Sequence, residues 1–177
     1  MNDIDALNIA LAVARVWVGA VMFAHGWRHL TSVRTGPGIA NWFESLGMRN
    51  GKLQAWNVTL TELGAGVLLV VGLFTPLAYA AAASIGFVAL VTNHWKNGFF
   101  IFNKGEGWEY VGTLGVLALA LGALGPGKWS LDDAFGLSFP FEPKTALLIS
   151  FGVGILGTAA FLATFWRPPA KSETTEA

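Results

Sequence analysis

The chain has no cysteine among its 177 residues and little charge, since Asp, Glu, Lys and Arg together make up 12% of it. The lack of cysteine excludes disulfide exchange, thiolate metal ligation and cysteine-based redox chemistry. Acidic and basic side chains balance to a formal net charge of zero, so nothing in the composition indicates nucleic acid as a partner. Hydrophobic residues are abundant instead, at 54%, which together with the low charge is too apolar for an ordinary soluble domain.

Several apolar stretches approach the length of a membrane span, which needs roughly 20 predominantly apolar residues. We predict spans at residues 6–27, 57–75, 77–95, 108–125 and 144–166. The first stretch contains Arg15 and no small-residue cleavage site follows it, so we expect a retained helix rather than a signal peptide. The sequence therefore predicts an all-α, polytopic transmembrane helix bundle that is embedded in the lipid bilayer.

The connections between the spans carry recognisable stop and start signals. Thr75-Pro76 leaves almost no linker between the second and third spans, which predicts a tight antiparallel hairpin. Residues 41–46 could form a short interfacial helix across the mouth of the bundle. Ser130, followed by acids at 132 and 133, is typical of a helix N-cap.

The distribution of Lys and Arg in the connections predicts the orientation of the chain. Only Lys128 and Lys144 fall on one side. The other side has Arg28, Arg34, Arg49, Lys52, Lys96, Lys104, Arg167 and Lys171. The positive-inside rule then predicts a plasma-membrane protein with its N-terminus outside and its C-terminus in the cytoplasm.

A few ionisable residues interrupt the apolar stretches. They are Arg15, His25, His29, Glu62, His94 and Glu109. Ionisable side chains are costly in hydrocarbon, so they normally face the bundle interior, pair with one another and mark a functional site. The threading brings the ends of the first and third spans and the starts of the second and fourth to one membrane face. We therefore predict one polar, ligand-binding pocket that is lined by these six residues.

The chemistry of this pocket has several possible forms. Arg15 stays protonated, so its burial requires a counter-charge or several carbonyl acceptors, and Glu62 is the expected partner, in either a structural or a ligand-handling pair. His25 and His29 are four residues apart on one helix face, and with His94 and Glu62 they could bind zinc, iron or copper. A b-type haem between His25 and His94 is a further alternative. Histidines at helix ends also often form only interfacial hydrogen bonds.

A quinone headgroup site is the other reading of the same residues. Quinone chemistry moves protons together with electrons, so it requires titratable groups near the ring oxygens and an apolar slot for the tail. Histidine and a buried carboxylate meet the first requirement. Aromatic residues near helix ends could form the slot, although an aromatic belt is common in any membrane bundle. They are Trp95, Phe99, Phe100, Phe102 and Trp108.

An ordered set of short motifs over residues 12–133 resembles the DoxX family of small bacterial membrane proteins. The set begins with Arg15 and continues with His25-Gly26-Trp27-Arg28-His29, Thr61-Glu62-Leu63-Gly64-Ala65-Gly66, Gly72-Leu73-Phe74-Thr75-Pro76, Asn97-Gly98-Phe99-Phe100, Gly107-Trp108-Glu109-Tyr110 and Gly125-Pro126-Gly127-Lys128-Trp129-Ser130-Leu131-Asp132. The resemblance implies a four-helix membrane core, which we expect over residues 1–133. An external loop with a fifth transmembrane helix would follow at 134–166, and a short polar tail at 167–177. We expect the fifth helix to serve partner docking.

The resemblance also implies association of some members with quinone-linked sulfur oxidation, as thiosulfate:quinone oxidoreductase subunits, and of others with defence against oxidative or thiol stress. We therefore expect a membrane subunit of a redox-linked complex that binds a quinone or a similar lipid-soluble ligand. Electrons would come from another protein subunit or a bound metal, so catalysis by this chain alone is not expected. The alternatives are a non-enzymatic scaffold or anchor subunit, and a small carrier for a metal or an acidic solute.

Overall fold

The computed structural model describes residues 3–137 and 143–169, and these form helices with no strand among them. The helices are α1 (Asp3–Thr35), α2 (Gly38–Ser45), α3 (Gly51–Val71), α4 (Thr75–Ala89), α5 (Glu109–Leu124), α6 (Leu131–Ala134), α7 (Pro143–Phe151) and α8 (Thr158–Phe165). Helix α4 continues through a π-helical turn at Leu90–His94 and a 3₁₀ turn at Trp95–Asn97. A second π-helical turn, Gly152–Gly157, joins α7 to α8. The all-α prediction is confirmed.

Four helical stretches are long and apolar enough to cross a membrane, at Ile4–Thr35, Gly51–Val71, Thr75–Asn97 and Lys144–Phe165. Helix α5, with 16 residues, is a fifth, shorter apolar helix. The predicted boundaries were wrong in two places, because α1 continues to Thr35 and α3 already begins at Gly51. The first turn of α3 is polar, so hydropathy did not reveal it. Its start is set by Asn50, whose side chain accepts a hydrogen bond from the Leu53 N–H.

The helices run antiparallel in sequence order, which gives the bundle two distinct ends. The end that contains α2 also holds the C-terminal end of α1, the start of α3 and the end of α8, and we call it the α2 end. The opposite end holds the turn between α3 and α4, and we call it the hairpin end. There Gly72 takes a left-handed conformation after α3, and Pro76 lies in the first turn of α4. The predicted tight hairpin is confirmed.

Helices α1 and α3 pack closely enough that glycine is required between them. A Cβ atom at Gly66 would lie 2.7 Å from the backbone nitrogen of Phe23, and one at Gly26 would lie 2.7 Å from that of Leu63. Membrane helices commonly use small residues for such contacts. The buried apolar core continues from this contact into α4 and α5. It consists of Val18, Met22, Leu69, Ala78, Tyr79, Ala82, Ala83, Ala118 and Leu119.

The predicted interfacial helix and the fifth span meet at the α2 end. Helix α2 confirms the short helix expected near residues 41–46. The indole nitrogen of Trp166 donates to the Leu46 carbonyl at 2.9 Å, and the Arg49 N–H donates to the Phe165 carbonyl at 2.7 Å. The fifth span, α7–α8, therefore holds the corner between α2 and α3 in place. The tail from residue 170 and loop residues 138–142 lie outside the described residues.

Candidate ligand-binding cavity

A cavity of about 440 Å³ lies in the half of the bundle toward the α2 end. Helices α1 to α5 and the fifth span all contribute to its wall, which is apolar over most of its surface. Its volume falls in the range of small-molecule sites, which are typically about 300–1,000 Å³ and carry a few polar groups. Both π-helical turns border it, through Asn93 of the first and Val153 of the second. Such turns are frequent at functional sites.

His29 and Glu62 form the polar centre of the cavity wall. Nδ1 of His29 lies 2.8 Å from Oε2 of Glu62, an ion-pair distance if the imidazole is protonated. The N–H direction is not aligned with the carboxylate oxygen, so neither atom has a hydrogen-bond partner in the described protein. Glu62 is 4% exposed, and a carboxylate buried to this extent requires compensation.

The local sequence explains why these two side chains meet. Gly26 lets α1 approach α3 at Leu63, directly beside Glu62. His29 follows Gly26 by three residues and faces the same groove, as positions three and four apart on a helix do. Glu62 lies eleven residues into α3, roughly 16 Å from its start at ~1.5 Å per residue. The pair therefore lies near the middle of a membrane-spanning helix.

A third unpartnered polar atom lies nearer the α2 end of the cavity. Gln54 is 2% exposed, and its Nε2 donates to the Arg49 carbonyl at 3.1 Å while its Oε1 has no partner in the described protein. Both Gln54 and Glu62 line the cavity. Hydropathy gave no indication of Gln54, because its buried position becomes visible only when α2 covers the first turns of α3.

Tyr110 belongs to the site and was missed as a candidate, although it ends the Gly107–Tyr110 motif. It lines the cavity, interacts electrostatically with Glu62, and stacks on His25 with ring centroids 6.5 Å apart. His25 and Tyr110 are both exposed as well as cavity-lining.

His94 borders the cavity but is held by the protein at both ring nitrogens. Nδ1 lies 2.8 Å from the Glu106 carbonyl oxygen, and because a carbonyl only accepts, Nδ1 carries the proton. Nε2 then accepts from Nδ2 of Asn93 at 3.2 Å. Nearby, Nδ2 of Asn97 donates to the carbonyls of Gly105 and Glu106 at 2.6 and 3.0 Å. His94 therefore fastens the 98–108 connection to the end of α4.

The two acids of the 105–110 segment, Glu106 and Glu109, differ in their relation to the cavity. Glu106 borders the cavity. Glu109, expected to face the pocket, does not line it, and its Oε2 instead accepts from the Ile101 N–H at 3.1 Å. Glu109 therefore stabilises the preceding connection.

Arg15 lies at the hairpin end, away from the cavity, and the expected Arg15–Glu62 pair does not form. Nη1 of Arg15 donates to the carbonyls of Leu69 and Val70 at 2.6 and 3.0 Å, and Nη2 donates to the Trp129 carbonyl at 2.5 Å. These α3 carbonyls lie at the end of the helix, where main-chain acceptors lack intrahelical partners. The guanidinium thus caps α3 and fastens it to the segment that follows α5.

The acid that accompanies Arg15 is Asp132, which the sequence indicated only as part of a helix N-terminus. Asp132 is fully buried and interacts electrostatically with Arg15. Its two carboxylate oxygens accept from the N–H groups of Phe74 and Thr75 at 2.7 and 2.9 Å, which caps the start of α4. The predicted N-cap is also confirmed, since the Ser130 side chain accepts from the Asp133 N–H.

The predicted metal-binding set is not assembled. His25, His29, His94 and Glu62 all border the cavity, but no group of three or more potential ligands converges among the residues that the structure describes. The pairing of His29 with Glu62 and the engagement of both His94 ring nitrogens account for this arrangement. The geometry therefore gives no support to a zinc, iron or copper site formed by these residues.

The motifs of the sequence thus gather at the two ends of the bundle. Those containing His25, Glu62 and Tyr110 reach the cavity, whereas those containing Arg15, Gly72 and Asp132 form the hairpin-end contacts. No curated protein and no solved structure matches the chain. One family model does match, that of DoxX, over residues 10–95. This segment contains α1 to α4 with both the His29–Glu62 pair and Arg15. The protein is a multi-pass membrane protein, and its residues 10–95 are similar to the DoxX family, as the ordered motifs predicted.

Proposed function

We propose that the protein binds a quinone, or a lipid-soluble molecule of similar size with a polar ring, as a membrane subunit of a redox-linked complex. One observation carries this proposal: the His29–Glu62 pair, with its buried carboxylate, faces a mostly apolar cavity of about 440 Å³. An ionisable pair inside a membrane bundle marks a functional site by default. A cavity that combines apolar walls with a few polar groups is the usual form of a small-molecule site.

The wall of the cavity suits the two parts of such a ligand. Apolar side chains of α4 and α5, among them Ile85, Val88 and Leu114, offer contact to a ring and a hydrocarbon tail. Glu62 and His29 offer titratable groups for the ring oxygens, and protonation changes at such groups are what quinone chemistry requires. In this proposal His29 and Glu62 orient the headgroup and exchange protons with it.

Exposed cavity-lining side chains of α1 and α5 support entry from the bilayer. His25 and Tyr110 both line the cavity and are exposed. A rotamer change of an exposed side chain takes picoseconds to nanoseconds, so these two side chains can move aside quickly. A ligand that partitions into lipid would not need to cross the water phase.

Electrons would have to come from a partner subunit or from a group bound with it. The chain has no cysteine, so it lacks both a thiol redox couple and the usual ligands of an iron–sulfur cluster. The scaffold alternative predicts that the cavity stays free of ligand while the complex still assembles. The carrier alternative predicts that the ligand accumulates in proteoliposomes without a redox partner.

A filled-cavity variant tests the binding proposal without altering the polar groups. Ala89 lines the cavity, whereas Ala120 of α5 is exposed outside it, so Ala89→Phe and Ala120→Phe form a matched pair. Titration of the purified protein with a short-chain benzoquinone, followed by tryptophan fluorescence, should give saturable binding to the wild type and to Ala120→Phe. Ala89→Phe should weaken it at least about tenfold, because one bulky ring removes much of the site. Equal binding by all three proteins would contradict the proposal.

A further inference from the structure

We propose that the cavity selects a ligand whose head donates hydrogen bonds, so that it prefers the reduced, dihydroxy form of a quinone over the oxidised form. This inference rests on the proposed function and concerns the same site. It starts from the two cavity-lining polar side chains that are more than nine-tenths buried and have an unpartnered atom, Glu62 at 4% exposure and Gln54 at 2%.

Both unpartnered atoms are acceptors. One N–H of the Gln54 amide donates to the Arg49 carbonyl, and the carbonyl oxygen Oε1 has no partner in the described protein. An ionised carboxylate has about four lone-pair positions and no donor. No hydrogen bond from the described part of the protein reaches Oε2 of Glu62, although Nδ1 of His29 lies 2.8 Å from it. The cavity wall therefore contains hydrogen-bond acceptors that no donor of the described protein satisfies.

The headgroup lies at Glu62, where the proposed function places it. Gln54 and Glu62 are eight residues apart on α3, roughly 12 Å along the helix axis, so one aromatic ring reaches only one of them. At Glu62 the headgroup meets a buried carboxylate oxygen that has no hydrogen-bond partner in the described protein. Leaving such an acceptor without a partner is unfavourable, and filling it is worth more when the acceptor is charged.

The two redox forms of a quinone differ in whether their ring oxygens can donate a hydrogen bond. The ring oxygens of the oxidised form are carbonyls, which accept and do not donate. Two-electron, two-proton reduction converts both into hydroxyls, each of which donates one hydrogen bond. A carbonyl beside Glu62 or Gln54 would place two acceptors against each other, whereas a hydroxyl satisfies the protein oxygen.

The other groups around Glu62 leave this preference in place. His29 is turned toward Glu62, Tyr110 interacts with it electrostatically, and His25 stacks on Tyr110 rather than on the carboxylate. The Tyr110 hydroxyl both donates and accepts, so it can bind either form of the ring. The carboxylate discriminates between the two forms, because it only accepts.

The test compares the two forms of one probe, decyl-benzoquinone and its hydroquinone, on the purified full-length protein under anaerobic conditions. We expect the reduced form to bind the wild type at least about tenfold more tightly, the ratio appropriate to one hydrogen bond to a charged group. Glu62→Gln, whose amide both donates and accepts, should bring the ratio close to one. Glu44→Gln is the matched control and should keep the wild-type ratio, since Glu44 lies outside the cavity and accepts only from the Gly51 N–H.

The outcomes separate this inference from the proposed function. Equal affinity for both forms, or tighter binding of the oxidised form, would overturn the inference and leave quinone binding intact. Absence of binding by either form would overturn both. The wild-type comparison needs no variant, so a folding defect in Glu62→Gln would not prevent a decision.

Discussion

His29 and Glu62 approach each other to 2.8 Å across the contact of α1 with α3, at a point where Gly26 brings the two helices together. The pair lies in the wall of the cavity, and Arg15 lies about 12 Å farther along α3 with backbone carbonyls as its partners. The bundle thus separates its two buried polar centres. At the hairpin end both Nη atoms of Arg15 donate to backbone carbonyls although its Nε has no partner, whereas at the cavity neither Nδ1 of His29 nor Oε2 of Glu62 has a hydrogen-bond partner in the described protein.

Alanine at Gly66 should disturb the α1–α3 contact, whereas alanine at Gly64 should not. A Cβ at Gly66 would meet the backbone of Phe23 at 2.7 Å, whereas a Cβ at Gly64 would meet nothing within 4 Å. Gly66→Ala should therefore lower the free energy of unfolding by about 1–3 kcal/mol, and Gly64→Ala should leave it unchanged or slightly raised. Thermal unfolding of both variants in the same detergent would show this, and equal effects would contradict the described packing.

Asp132 should matter more for stability than the acid that follows it. Asp132 is buried and accepts from two backbone N–H groups at the start of α4, whereas the side chain of Asp133 is exposed. Asp132→Ala leaves both N–H groups without their acceptor and Arg15 without its nearby acid. We expect a loss of about 3 kcal/mol or more, from two hydrogen bonds to a charged group. Asp133→Ala should unfold close to the wild-type temperature, and a shift as large as that of Asp132→Ala would argue against the capping role.

Removing the His94 side chain should loosen the 98–108 connection. His94 donates to the Glu106 carbonyl and accepts from Asn93, so His94→Ala frees the end of this segment. Hydrogen exchange of residues 98–108 should then become faster, while α1 and α3 stay as protected as in the wild type. His94→Asn, which keeps a donor and an acceptor, should restore part of the protection. Unchanged exchange in His94→Ala would contradict the anchoring role.

The lack of native cysteine makes the orientation directly testable. Arg34 and Lys128 are exposed at opposite ends of the bundle, so Arg34→Cys and Lys128→Cys each introduce a single reporter thiol. With the α2 end in the cytoplasm, a membrane-impermeant maleimide added to intact cells should label Lys128→Cys. Arg34→Cys should react only after permeabilisation. The reverse pattern would place the N-terminus in the cytoplasm.

Sequence reasoning recovered the parts of the molecule that follow from hydropathy and local turn chemistry. The Thr75-Pro76 hairpin, the helix near residues 41–46 and the Ser130 cap each depend on a few adjacent residues. The order in which the spans cross the membrane also predicted that His25, His29 and Glu62 lie at one end of the bundle. All three border one cavity. These features need only the order of the helices and their approximate lengths.

The partners of Arg15 could not be predicted in this way. Carbonyls of Leu69, Val70 and Trp129 carry no sequence signature, because every residue has a carbonyl and only the fold shows which of them lie beside the guanidinium. Pairing Arg15 with Glu62, the acid deepest within a span, was chemically reasonable and wrong. Asp132 lies in a connection, where acids are usually solvated, and only the fold reveals that it is buried. The place of Tyr110 in the cavity wall likewise could not be predicted, because it depends on how α5 packs against α1.

Quinone extracted from protein that is purified from its native membrane in mild detergent tests the central claim most directly. With wild type, Glu62→Gln and Glu44→Gln compared side by side, we expect close to one quinone per chain in the wild type and in Glu44→Gln. Glu62→Gln should retain several-fold less, because it lacks the buried carboxylate that faces the headgroup. Absence of quinone from all three folded proteins would contradict the account and would favour a scaffold role for the bundle.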